Sequence, residues 1–144
     1  MDYKRATWMT LLLYIASFVS GILAAPYFGY NLDSAMEAPT ELFLFGIATS
    51  VLLTILFTHW YFASKDVKTT LDNGIIFGLF IVGFSFIIDM AIIIPTILAS
   101  EAPTDPLAYY SHPLFWVTVF AIPITSGVTA SYLSKRKPPK KTPK

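Results

Sequence analysis

Four long apolar runs, separated by short polar connections, divide the chain: residues 7–25, 41–64, 74–100 and 113–134. A helix rises about 1.5 Å per residue, and a hydrocarbon layer about 30 Å thick takes about 20 residues to cross. The pattern therefore predicts an all-α integral membrane protein, a four-transmembrane-helix bundle with short loops, followed by a tail at residues 135–144. The first run has a basic start, Lys4 and Arg5, as a secretory signal does. It is longer than a usual signal core, however, and Pro26 follows the only small-residue cleavage point, so the run is expected to be a retained helix.

The third run, GIIFGLFIVGFSFIIDMAIIIPTILAS, carries one acid near its middle, Asp89. As a helix it would place Asp89 about 22 Å from Gly74 and about 16 Å from Ser100. A carboxyl group at that depth costs on the order of 3 kcal/mol, so it is expected to face protein or water rather than lipid. At about 100° per residue, Gly74, Gly78, Ser85, Thr96 and Ser100 fall on the same side as Asp89. Phe77, Phe80, Phe84, Ile87, Ala91, Ile94 and Leu98 take the opposite side and are expected to meet acyl chains. Pro95 cannot bond back to the carbonyl of Ala91, which predicts a kink and a freed carbonyl near the acid. Two interpretations follow: an ordinary kink beside a neutral, hydrogen-bonded Asp, or a proton or cation site built from Asp89, Ser85 and Thr96.

Small and hydroxyl residues recur at four-residue spacing elsewhere. Ser17, Gly21 and Ala25 make one ridge, and Gly46, Ser50, Thr54 and Thr58 make another, with Thr40 as the expected cap of that helix. Such ridges let helices approach closely in lipid, so Gly46, Ser50, Gly78, Ser17 and Gly21 are assigned to helix packing. In the fourth run Pro123 predicts a second kink. Thr118, Thr125, Thr129 and Tyr132 share one face there, and Ser126, Ala130 and Ser134 another. This hydroxyl-bearing helix, with Thr125, is the expected partner of Asp89. His59, Trp60 and Tyr61 end the second run, where aromatics form an interfacial belt.

Composition agrees with the pattern: 55% of residues are hydrophobic and 13% charged, against about 25% charged in soluble domains. With no cysteine, disulfides, thiolate metal sites and thiol catalysis are excluded. Charge placement changes the picture most. Lys4, Arg5, Lys65, Lys68 and the six cations of the tail flank one surface of the four-span arrangement. The opposite connections carry Asp33, Glu37, Glu41, Glu101 and Asp105 and no cation. The positive-inside rule then puts both termini in the cytoplasm, in a multi-pass protein of the cell membrane. The tail residues Lys135, Arg136, Lys137, Lys140 and Lys141 are expected at anionic inner-leaflet headgroups, gaining about 1 kcal/mol per nearby cation. Nucleic-acid binding is not expected, since no aromatic platform accompanies the charges.

The two acidic connections share a phrase, Glu37-Ala-Pro-Thr-Glu and Glu101-Ala-Pro-Thr-Asp, but their flanking runs do not match. Ser34 to Glu37 has the spacing of a capping box. No phosphate-cradling glycine loop, zinc motif or nucleophile elbow occurs. His59 and His112 fall on opposite surfaces and share no metal; His112 with Glu101 and Asp105 would be at most a weak outer site. Neither an enzyme nor a cofactor or metal is expected. What remains is an accessory or interaction subunit, acting as a homo-oligomer or within a larger membrane complex. The alternative is a small proton- or cation-translocating component using Asp89.

Overall fold

The computed structural model describes residues 1–30, 38–64, 67–99 and 108–136. Among them every regular element is helical, and four helices are long and apolar enough to cross a membrane. Helix α1 spans Tyr3–Ala24 and runs into a 3-10 turn at Ala25–Phe28. Gly29 closes that turn at φ 71°, a left-handed conformation open to glycine at no steric cost. Helix α2 spans Thr40–Phe62. Helix α3, Leu71–Ile88, continues through a π-helical turn, Asp89–Ile93, into α4, Ile94–Ala99. The short α5, Ala108–Ser111, precedes α6, Pro113–Arg136.

Local chemistry explains the helix starts. The Asp2 carboxylate accepts from the Arg5 N–H at 3.1 Å, so α1 begins before the apolar run and takes in Lys4 and Arg5. Thr70 Oγ1 accepts from the Asn73 N–H at 3.2 Å, which starts α3 at Leu71. Both are side-chain N-caps satisfying otherwise orphaned donors. Thr40 is not the cap of α2: it is the first helical residue, and Pro39 holds the cap position, its carbonyl taking the Leu42 N–H at 3.0 Å. At the far end α6 extends through Lys135 and Arg136, so the first two cations of the tail are helical. Lys137, Lys140 and Lys141, the acidic segments 31–37 and 100–107 with the repeated phrase and capping-box spacing, and residues 65 and 66 lie outside the described residues.

Paired contacts fix the arrangement. Helices α1 and α2 are antiparallel. At one end the Asp2 N–H donates to Tyr61 Oη at 3.1 Å and Arg5 Nη2 donates to the Trp60 carbonyl at 2.7 Å; at the other the Phe28 and Phe45 rings lie 5.8 Å apart. Helices α3 and α6 are antiparallel, with Gly74 against Ser126 to Ala130 and Gly78 against Pro123. Helices α2 and α6 run parallel, as Phe43 stacks on His112 at 3.9 Å and Thr58 Oγ1 donates to Ser126 Oγ at 3.0 Å. The spatial order around the bundle is α1, α2, α6, α3.

The core sits at the end that carries Asp2, Tyr61 and Lys68, the basic end. Tyr61, Phe62, Phe77 and Ile81 are fully buried there, joined by Ala6, Met9 and Leu13. Phe77, expected to face lipid, has 0% exposure. The Tyr61 ring reaches across the bundle and stacks on it at 4.1 Å, because α3 has packed neighbours on more than one side and a single small stripe cannot serve them all. The outer part of the same expected face, Ile87, Ala91 and Leu98, is exposed.

The small-residue ridges are used unevenly. Thr54 and Thr58 are fully buried, but at Gly21 and Gly46 an added Cβ would meet no neighbouring atom within 4 Å, so neither is a close helix contact among the described residues. Ser17 and Ser50 are half-buried. Gly78 is the reverse case. A Cβ there would fall 2.5 Å from Pro123 Cα, and one on Gly74 would fall 2.6 Å from Ala130 Cβ. Helix α6 continues unbroken through Pro123, which is buried against this glycine face.

Gly78→Ala should therefore destabilise the bundle by about 1–3 kcal/mol through overpacking against backbone that cannot yield. Gly83→Ala, with nothing within 4 Å of its added methyl, should be neutral or stabilising because alanine is the better helix former. Unfolding of both variants in mixed micelles checks the pair.

Candidate functional site

Asp89 sits at the entry of the π-helical turn. Its N–H bonds to the Ser85 and Phe86 carbonyls, and its own carbonyl accepts from the Ile94 N–H, a spacing of five residues rather than four. Carried one residue further, that spacing would pair position 95 with Met90, and Pro95 has no hydrogen to give. The wider turn takes up the proline ring, which in a regular helix would press on the carbonyl four residues back. The sequence expectation of a simple kink at Pro95 is thus replaced by a π-helical turn that begins at the acid itself.

The partner of Asp89 is Tyr14 of α1, whose hydroxyl donates to Asp89 Oδ1 at 2.5 Å. The register behind this bond is simple. Asp2 and Phe77 both touch Tyr61, and Tyr14 and Asp89 lie twelve residues beyond them on parallel helices. Both are therefore about 18 Å from the Tyr61 level. The Tyr14 ring is held from behind by Phe18, stacked at 6.4 Å. Tyr14 and Asp89 are each half-buried.

The other expected members of the site divide. Ser85 is half-buried one turn before Asp89 and gives its carbonyl to the Asp89 N–H. Thr96 is exposed, and its hydroxyl bonds back to the Ile92 carbonyl at 2.6 Å. Thr125 is not a partner of the acid: by the pairing of Gly78 with Pro123 it lies level with the stretch between Gly74 and Gly78 of α3, about 20 Å along the axis from Asp89. The hydroxyl next to it in sequence, Ser126, is occupied by Thr58.

Tyr14 is the residue that sequence reasoning missed. The available signal was its place: a phenol well inside an apolar run, away from the aromatic belt, has a polar tip that needs a partner. Hydroxyls lining the interior are the second feature. Thr10, Thr54, Thr58 and Ser126 are all fully buried, and Thr10 Oγ1, Thr54 Oγ1 and Ser17 Oγ have no hydrogen-bond partner in the protein.

No other helix among the described residues packs against Ile94–Ala99, and Ala91, Ile92, Pro95, Thr96 and Ala99 line a shallow surface groove. At the basic end a smaller pocket of about 290 Å³ is formed by Met1, Asp2, Tyr61, Val67, Lys68 and Asn73. His59 is exposed, while His112 stacks on Phe43 and accepts the Leu114 N–H through Nδ1 at 3.2 Å. Among the described residues no three side chains are grouped to hold a metal ion, and Glu101 and Asp105 lie outside them. Lys135 and Arg136 are exposed, with the Arg136 guanidinium 4.5 Å over the Tyr132 ring.

Comparison with protein-family models, curated proteins and solved structures finds no match.

Tyr14→Phe and Asp89→Asn should each lower stability, and a double-mutant cycle should return a coupling of about 1 kcal/mol, within the range measured for hydrogen bonds between helices in lipid. Additive losses would show that the two side chains do not act as a pair.

Proposed function

We propose that the chain is a small polytopic membrane protein that works by lateral association, as an accessory or interaction subunit. One observation carries this reading: the segment from Asp89 to Ala99 contains no buried residue, and its Ile94–Ala99 half is packed by no other helix among the described residues. A helix end of this kind, holding a half-buried acid and a proline-released carbonyl, is poorly matched to acyl chains and well matched to another helix. Gly21 and Gly46, where an added Cβ would meet nothing within 4 Å among the described residues, supply further close-approach points. The working unit is then a homo-oligomer or a larger membrane complex. Both termini are cytoplasmic in this reading, from the placement of Lys and Arg in the sequence. Lys135, Arg136, Lys137, Lys140 and Lys141 lie at anionic headgroups of the inner leaflet of the cell membrane. Neither catalysis, a cofactor nor nucleic acid enters this reading.

A second reading, translocation of protons or cations, is favoured by one feature, the Tyr14–Asp89 bond at a π-helical turn, since such turns concentrate at functional sites. It requires flux in proteoliposomes that Asp89→Asn abolishes while assembly stays intact.

For association the measurement is the mass of the full chain extracted from its native membrane in mild detergent. The expected particle exceeds the 16.0 kDa of one chain. Ala91→Trp, which fills the groove, should dissociate it, whereas Leu52→Trp, on an exposed face of α2, should not. A lone chain in native extracts would overturn the proposal.

A further inference from the structure

Hydroxyls on these helices behave in two ways. Five that face outward or are half-exposed bond back to their own helix, Thr7 to Tyr3, Ser20 to Ala16, Thr96 to Ile92 and Thr118 to Leu114 four residues earlier and Ser134 to Ser131 three earlier. This is the ordinary arrangement for Ser and Thr within an apolar helix. Thr10, Ser17 and Thr54 depart from it. Their oxygens are buried, point inward and have neither a backbone nor a side-chain partner.

The three are not scattered. On α1, Thr10, Tyr14 and Ser17 fall within about 60° of one another at about 100° per residue. Along the axis, Thr10 and Ser17 stand about 6 Å and about 4.5 Å from Tyr14. Thr54 comes from the facing helix, because the antiparallel pairing of Asp2 with Tyr61 and Arg5 with Trp60 brings it opposite Thr10. One turn nearer the basic end lies the Thr58–Ser126 bond, and beyond it the pocket formed by Met1, Asp2, Tyr61, Val67, Lys68 and Asn73. Arg5 Nε, a further buried atom without a partner, lies at the same end.

Buried hydroxyls are almost always partnered, by protein or by ordered water. A single water accepting and donating at ordinary lengths bridges groups about 4.5–5 Å apart, comparable with the axial steps of about 4.5 Å and about 6 Å between these side chains. We propose that Thr10, Thr54 and Ser17 hold internal water molecules that reach the Tyr14 hydroxyl. Asp89 is then linked through Tyr14 to buried water in the middle of the bundle. The inference does not depend on whether the chain associates, since the waters lie between helices of one chain.

Hydroxyl-radical footprinting of the full chain in detergent micelles tests it, because such labelling marks side chains next to water. Met9, which is buried beside Thr10, should be oxidised in the parent protein. Met90, exposed on the apolar surface, should be protected by detergent tails, and Met1 provides the solvent reference. In the Thr10→Val/Thr54→Val variant the Met9 label should be lost with Met1 unchanged. Thr54→Ser, which restores a hydroxyl, should keep it. An unlabelled Met9 in the parent overturns the proposal without any variant, and so does a label that survives both valines. The oligomeric mass of the same samples reports separately on association.

Discussion

A polar group inside an apolar bundle needs a partner, from the protein or from ordered water, and the bond from Tyr14 to Asp89 is where that constraint joins two helices. It joins α1 to α3 at the same distance from Tyr61 along each helix, so it fixes both their parallel direction and their register. The glycine face of α3 then lies against α6, where backbone approaches backbone at Gly78 and Pro123. Helix α2 closes the ring with Tyr61 as its wedge, stacked on Phe77 and holding Asp2. No one of these contacts is large by itself. They agree in register, and that agreement defines a single arrangement.

The two ends of the bundle differ in kind. Buried side chains gather at the basic end, around Phe62, Phe77 and Ile81, while α4 beyond the acid has no buried residue. The π-helical turn stands at this boundary. It takes up Pro95, begins at Asp89 and hands the chain on to a segment without a helical neighbour among the described residues. Closed packing on one side of the acid, and on the other a helix without a helical neighbour among the described residues, is the physical basis of the proposal that the chain associates.

Much of the architecture was legible in the sequence because the number and length of helices follow from runs of apolar residues, which need no knowledge of neighbours. Asp89 was legible for the same reason, as an acid out of place. The small face of α3 meets α6 at Gly74 and Gly78, where only glycine admits a helix so close. Who faces whom was not legible. Thr125 and Tyr14 both offer hydroxyls from apolar helices, and only the register of α6 against α3 shows that Thr125 lies too far along the axis. Phe77 was misplaced because a helical wheel divides a helix into two sides, whereas α3 meets α1, α2 and α6. The π-helical turn escaped because proline announces a lost bond but not how the backbone accommodates it.

The account stands on Asp89 being held inside the bundle by Tyr14. Solid-state NMR of the full chain in lipid bilayers, with carbon-13 at Tyr14 Cζ and Asp89 Cγ, measures this directly. A through-space correlation between these two carbons is predicted. Its absence, with Asp89 Cγ correlated instead to acyl-chain protons, would contradict the account.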